Sequence, residues 1–359
     1  MDRVDPRIAE EMKKLGAFDL DACYSCGHCS ALCPLCEGDI SFPRRMIRYS
    51  MLGLEDRILA SPEPWMCYYC GECSETCPRQ ADPGSLMMAA RRFVTRKFVL
   101  GRVADLFYSA FASVITWLVL SALAVLWILL SYDSGMDMER VDFLSFIHLE
   151  PIHDAGIGVT AFLALAMILN ISVMLRAVKR GFKAEKTGFK DMARAAGFAL
   201  AESATQQRFD LCSRDRTKRW AHLAISWGFV GMFIATVLVM GIDYKILDIS
   251  RAIPFAFGTV FGALTVAGTI WFLVKRIRKD GESMKYSHLS DWMFLVLILA
   301  AVITGYVMVM FKYLNMPMAA YISFAVHLVA VFDLLISFPF TKFAHMVYRP
   351  MALWLSGLK

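Results

Sequence analysis

Residues 23–34 read CYSCGHCSALCP and residues 67–78 read CYYCGECSETCP. Each is a Cys-x2-Cys-x2-Cys-x3-Cys-Pro run, the spacing that wraps cubane iron–sulfur clusters in pairs. The tight triplet covers three corners of one cubane, and the fourth Cys ligates the other. One cluster is therefore expected on Cys23, Cys26, Cys29 and Cys77, and the second on Cys67, Cys70, Cys73 and Cys33. Gly27 and Gly71 relieve crowding near the inorganic sulfides, and Pro34 and Pro78 turn the chain away after the fourth ligand. A zinc site is the competing use of so many thiols, but eight Cys in two complete runs leave little room for it. Thiolate-bound cubanes are one-electron carriers, so these residues read as a wire.

Outward from the motifs, the flanks are helical. Residues 7–18 can form a short amphipathic helix, and Pro43 to Leu59 reads as one helix with apolar Met46, Ile47, Met51, Leu52 and Leu54. Asp82-Pro83-Gly84 begins another. No period-two strand signal occurs. Nine of the ten Cys lie between Cys23 and Cys77, which in a reducing compartment points to metal, not disulfides. The opening stretch MDRVDPRIAEEMKKLGAFDL has no apolar h-region, so a signal peptide is not expected. Cys36 and Cys212 fall outside the pattern and read as free thiols.

Beyond residue 100 the composition changes. The 359-residue chain is 57% hydrophobic and 19% charged, which excludes disorder and an ordinary soluble enzyme. Six apolar segments reach membrane-spanning length: 106–131, 153–175, 221–241, 254–274, 291–311 and 317–340. Basic residues gather in alternate connectors: Arg91 to Arg102; Arg176 to Arg194 and Arg214 to Arg219; Lys275 to Lys279; and Lys342, Arg349 and Lys359 in the tail. Loop 132–152 is acidic, with Asp133, Asp137, Glu139, Asp142 and Glu150. The positive-inside rule then puts both termini in the cytoplasm, and the chain in the inner membrane. That bias accounts for the net charge of +6, so no nucleic-acid partner is needed. The expected architecture is all-α: a helical two-cluster domain over 1–100 and a six-span membrane domain over 101–359.

Intramembrane ionisable groups are costly and mark function. His222 opens the third span and His345 follows the sixth, so both lie near the cytoplasmic face. Two imidazoles on different helices can hold a haem iron from opposite faces. Gly228 and Gly231 would let the macrocycle approach the third span closely. His327 and Met232 each lie ten residues from an end of their span. That is about 15 Å deep, near the middle of a core of about 30 Å, so they are the expected axial pair of a second haem. The alternatives are Met232 as core filler, His153 as the rival partner, which sits at the outer boundary and matches poorly in depth, and one haem only. His153 and Asp154 could line a quinone pocket or cap a helix end. His28, His148 and His288 read as solvated or supporting. Asp333 reads as a packing or haem-side group, or as a proton-path residue. There is no GxGxxG fingerprint and no P-loop.

Three family resemblances add to this reading. CYSCGHCSALCP, WMCYYCGECSETCP and the intervening PRRMIRYSMLGL resemble the C subunit of heterodisulfide reductase and related helical dicluster ferredoxins. RWAHLAISWGFVGMFIA, with His327 and His345 eighteen residues apart, resembles the gamma (cytochrome b) subunit of respiratory nitrate reductase. That family pairs two His ten apart with two His eighteen apart, and here Met232 stands at the second position of the first pair. The two together resemble the membrane component, QmoC, of the quinone-interacting membrane-bound oxidoreductase (Qmo) complex. The resemblance implies haem b, menaquinone as the lipid-soluble partner, and cytoplasmic flavin and iron–sulfur subunits like Qmo A and B. It also implies electron exchange with adenylylsulfate reductase of dissimilatory sulfur metabolism. A related heterodisulfide-reductase-like respiratory complex with another terminal enzyme would need the same wire. An iron–sulfur-regulated transporter or pump is the reading from a different class.

Overall fold

The computed structural model describes residues 3–38, 40–132, 135–147, 149–181, 188–212 and 216–358. His148, Asp133, Lys183, Lys186, Arg214 and Lys359 lie outside them. Among the described residues the protein is helical, with no strand.

The Cys-rich region comprises α1 (Arg7–Lys14), α2 (His28–Leu32), α3 (Arg44–Met51), α4 (Glu55–Leu59), α5 (Glu63–Met66), α6 (Glu72–Glu75) and α7 (Pro83–Phe98). Helix α7 is its core. Asp82 caps it by accepting the Ser85 N–H at 3.1 Å, and Pro83 occupies the first turn, where a missing N–H costs nothing. Leu86, Met87, Ala89, Ala90, Phe93 and Val94 are all buried. A helix that buries apolar residues on most of its sides must be surrounded, and α1, α3, α5 and α6 surround it. The single helix expected over Pro43 to Leu59 is instead two. The chain turns at Leu52–Leu54, where Gly53 lies against the Asp5 backbone too closely for any Cβ.

A short helix, α8 (Asp105–Ser109), and an extended residue, Ala110, precede the membrane part. The first span therefore starts as α9 (Phe111–Ser131), not at 106. There follow α10 (Phe143–Phe146), α11 (Leu149–Gly181), α12 (Phe189–Thr205), α13 (Phe209–Cys212), α14 (Arg216–Asp243), α15 (Ala252–Ile277), α16 (Glu282–Lys285), α17 (Leu289–Tyr313), α18 (Pro317–Ile336) and α19 (His345–Ser356). Among the described residues, six helices are long and apolar enough to cross a membrane: α9, α11, α14, α15, α17 and α18, the last extended to Phe340 by a 3-10 turn. Helices satisfy their own backbone hydrogen bonds, which hydrocarbon requires.

Small residues bring α14 and α15 together. A Cβ on Gly228 would strike Thr265 and the Phe261 carbonyl, and one on Gly231 would strike the Phe261 ring. Gly268 of α15 lies likewise against the Ala221 carbonyl and Ile225. The expectation that Gly228 and Gly231 admit a macrocycle is thus corrected: they serve close helix–helix packing.

The Cys-rich region sits against one end of the bundle. Asp291, in the first turn of α17, binds Arg92 of α7 at 2.8 Å and Lys342 at 2.7 Å, with Arg276 of α15 at 3.7 Å. Arg92 also donates to the Leu15 carbonyl. One buried carboxylate thus joins α7 to the ends of three spans. Gly181, at the end of α11, packs on Ala60 after α4.

Candidate functional site

The two Cys runs adopt the same backbone. Gly27 and Gly71 have φ of 94° and 96°, a left-handed conformation that only glycine adopts without strain. The next residues start short helices carrying Cys29 and Cys73. The Ser25 N–H donates to the Cys23 sulfur and the Tyr69 N–H to the Cys67 sulfur, both at 3.3 Å.

The eight thiols fall into two groups. Cys23, Cys26, Cys29 and Cys77 line one cavity. Cys33, Cys67, Cys70 and Cys73 line another. Each group takes three thiols from one run and the fourth from the other. All ten Cys are free of disulfides. Among the described residues, no three His, Cys, Asp or Glu side chains converge as one metal ion requires. Four thiols lining one cavity fit a cubane. Burial pushes the Cys29 thiol up to about 11 and raises Cys67 and Cys73. Iron would have to displace those protons.

Cys36 and Cys212 are not isolated. Cys36 donates to the Phe42 carbonyl at 2.8 Å and is hydrogen-bonded to Cys33. Cys212, from α13, is buried and lines the second cavity beside Cys70, and its thiol lies 3.6 and 3.7 Å from the Arg208 and Phe209 carbonyls. Only tertiary folding reveals that neighbour, and no local pattern around Cys212 signals it.

His222 of α14 and His345 of α19 face each other, with ring centroids 5.9 Å apart. Two metal–imidazole bonds of about 2 Å, plus the span from each donor nitrogen to its ring centre, give roughly 6 Å in a bis-imidazole iron site. His345 Nδ1 is 3.0 Å from the Lys342 carbonyl, and His222 Nδ1 is 3.4 Å from Ser226 Oγ. Each contact occupies Nδ1 and leaves Nε2 free to ligate. Burial, and then the neighbouring His222, holds the His345 imidazole well below the ordinary histidine range, hence neutral. These residues fit a haem iron.

His327 Nδ1 lies 3.1 Å from Thr304 Oγ1, whose own proton goes to the Ala300 carbonyl, so His327 Nε2 is likewise free. Its ring lies against Gly305 of α17. Met232 is half-buried on α14. Helices α14 and α18 share little direct packing, so the structure does not join His327 to Met232 as it joins His222 to His345. Asp333 is 2% exposed, and its Oδ1 has no hydrogen-bond partner. One expectation is corrected. His288 is buried and caps α17 by accepting the Ser290 N–H, so it is not solvated. Asp154 is exposed, and His153 approaches Asp243 at 3.8 Å and lies against the Tyr244 ring.

Sequence reasoning also missed the cations around the second run. Arg91 donates to the Pro64 carbonyl at 2.9 Å and to that of Cys67 at 2.5 Å. Arg349 donates to the Trp65 carbonyl at 3.0 Å and lies over the Tyr68 ring. Lys218 donates to the Tyr69 carbonyl at 2.5 Å and to Ser283 at 2.9 Å.

Residues 19–81 match the 4Fe-4S dicluster domain family. A protein of Archaeoglobus profundus that is itself like the C subunit of heterodisulfide reductase is 38% identical over 102 residues, 28% of this chain and 54% of that protein. The C subunit of the H(2):CoB-CoM heterodisulfide,ferredoxin reductase of Methanothermobacter thermautotrophicus is 34% identical over 63 residues, 18% of this chain and 34% of that protein. The chain therefore spans about half, or less, of the length of the curated relatives it matches. No solved structure matches it.

Proposed function

We propose that the chain is a membrane electron-transfer subunit. It passes electrons between menaquinol or menaquinone in the bilayer and flavin and iron–sulfur subunits in the cytoplasm. Bound haem b and two [4Fe–4S] clusters would supply one-electron transfer. The chain's own residues hold and insulate these centres: Cys23, Cys26, Cys29 and Cys77 for one cluster, Cys33, Cys67, Cys70 and Cys73 for the other, and His222 with His345 for the haem. His327 and Met232 are the proposed ligands of a second haem deeper in the bundle.

The observation that carries this reading is the His222–His345 ring pair, 5.9 Å apart beside the Cys-rich region. A transporter or pump without haem would leave this pair unexplained. Menaquinone, partners like Qmo A and B, and adenylylsulfate reductase as terminal enzyme rest on the family resemblance alone. Placement in the inner membrane with cytoplasmic termini rests on the charge bias of the connectors.

Two steps test the proposal. Affinity purification from native membranes should bring down soluble flavin and iron–sulfur subunits. A menaquinol analogue should then reduce the haem in that complex. No haem reduction by any quinol would remove the quinone role, and co-purification with a transport partner alone would replace the proposal.

A further inference from the structure

The two Cys runs are near copies, yet equivalent positions have opposite surroundings. Tyr24 follows Cys23 and is 71% exposed. Tyr68 follows Cys67, gives its hydroxyl to Glu202 of α12, and packs on Arg349 and Phe209. Cys26 is exposed, whereas its counterpart Cys70 is half-buried and shares its cavity with Cys212 of α13. Gly27 lies against Arg44 of its own region, whereas Gly71 lies against Glu282 and Ser283 of α16.

The carbonyls repeat the contrast. In the first run, the Ser25 carbonyl accepts from Arg44 of α3 at 2.8 Å. In the second, the equivalent Tyr69 carbonyl accepts from Lys218 of α14. Lys218 stands four residues before His222, and Arg349 four residues after His345. Residues four apart share a helix face, one turn from each other. Both helices that present the haem-ligating histidines therefore grip the Cys67–Cys70 loop one turn away. The Cys23–Cys29 loop is held from within its own region instead, by Arg44.

From this juxtaposition we infer that the cluster on Cys67, Cys70, Cys73 and Cys33 is the one that exchanges electrons with the haem. The cluster on Cys23, Cys26, Cys29 and Cys77 is the outer one, which meets the soluble redox partner through the Tyr24–Cys26 edge. The inference rests on the proposed function, because it takes the haem and both clusters as bound. Each transfer moves one electron and makes or breaks no bond. The quinol supplies two electrons and releases two protons.

Matched charge removals test the order. Lys218→Met and Arg44→Met each delete the cation on the equivalent carbonyl of one run. The clusters are titrated by electron paramagnetic resonance and the haem optically, in the purified complex. Lys218→Met should lower the midpoints of the haem and of one cluster, the one whose signal Cys73→Ser removes. Arg44→Met should lower only the cluster whose signal Cys26→Ser removes, and leave the haem unmoved. Lys218→Arg, which keeps the charge, should behave as wild type. If Lys218→Met loses its iron or haem, Arg349→Met is read the same way. A haem midpoint that follows Arg44, or ignores both Lys218 and Arg349, overturns the order. Wild-type protein without haem or without eight irons defeats the proposed function itself, and the inference falls with it.

Discussion

Arg92 of the Cys-rich region and Asp291 of the fifth span form a 2.8 Å ion pair that is shielded from solvent on both sides. The pair welds a soluble-type domain to a membrane bundle, because Asp291 also holds Lys342 and Arg276. Removing a carboxylate from among buried cations costs more than removing one cation of several. Asp291→Asn should therefore destabilise the protein by roughly 3–5 kcal/mol, the range for breaking a buried pair. Arg92→Met should cost less, since Asp291 keeps Lys342. Thermal unfolding in detergent checks the ranking, and equal losses would show that the junction is held elsewhere.

His288 gives the junction a pH dependence. Its ring accepts the Ser290 N–H, which needs a neutral Nδ1. Burial, helped by the Arg92 charge, lowers it to about 4. The unfolded chain, titrating near 6.5, binds more protons than the folded one between these values. Stability from this group is complete above pH 6.5 and is lost as pH falls through about 4. His288→Asn keeps a cap acceptor without titrating, so its stability should be flatter from pH 7 to 4.5. Parallel pH profiles would remove His288 as the cause.

Cys77→Ala should strip the cluster shared with Cys23, Cys26 and Cys29, and Cys33→Ala the other. Each variant should retain about four irons of eight. If Cys77→Ala instead erased the signal that depends on Cys67, Cys70 and Cys73, the crossed ligation would be wrong.

Cys212 lines the second cavity with Cys70, where its thiol can donate to a bound cluster's sulfur, and hydrogen bonds to cluster sulfurs raise reduction potential. Cys212→Ala should lower one cluster midpoint by some tens of millivolts with iron content unchanged, and Cys212→Ser should shift it less. Loss of a whole cluster would make Cys212 a ligand instead.

What the sequence disclosed was one-dimensional. Cys spacing and apolar run length need no knowledge of neighbours, so the two runs and the six long helices were legible. Partners distant in the chain were not. Nothing local ties Lys218 to Tyr69, Arg349 to Cys67 or Cys212 to Cys70. Gly228 and Gly231 announced close approach but not what approaches, which is Phe261 and Thr265. His288 misled for the same reason, because exposure is decided by the fold: His288 is buried by the domain junction.

Haem content and ligation test the central claim most directly. Pyridine haemochrome assay and low-temperature optical spectra of the purified chain should show haem b. His222→Ala and His345→Ala should each abolish the same low-spin component while the protein still inserts and keeps its eight irons. If both variants retain the full wild-type low-spin spectrum, or the wild type carries no haem, the ring pair at 5.9 Å is not an iron site and the account is wrong.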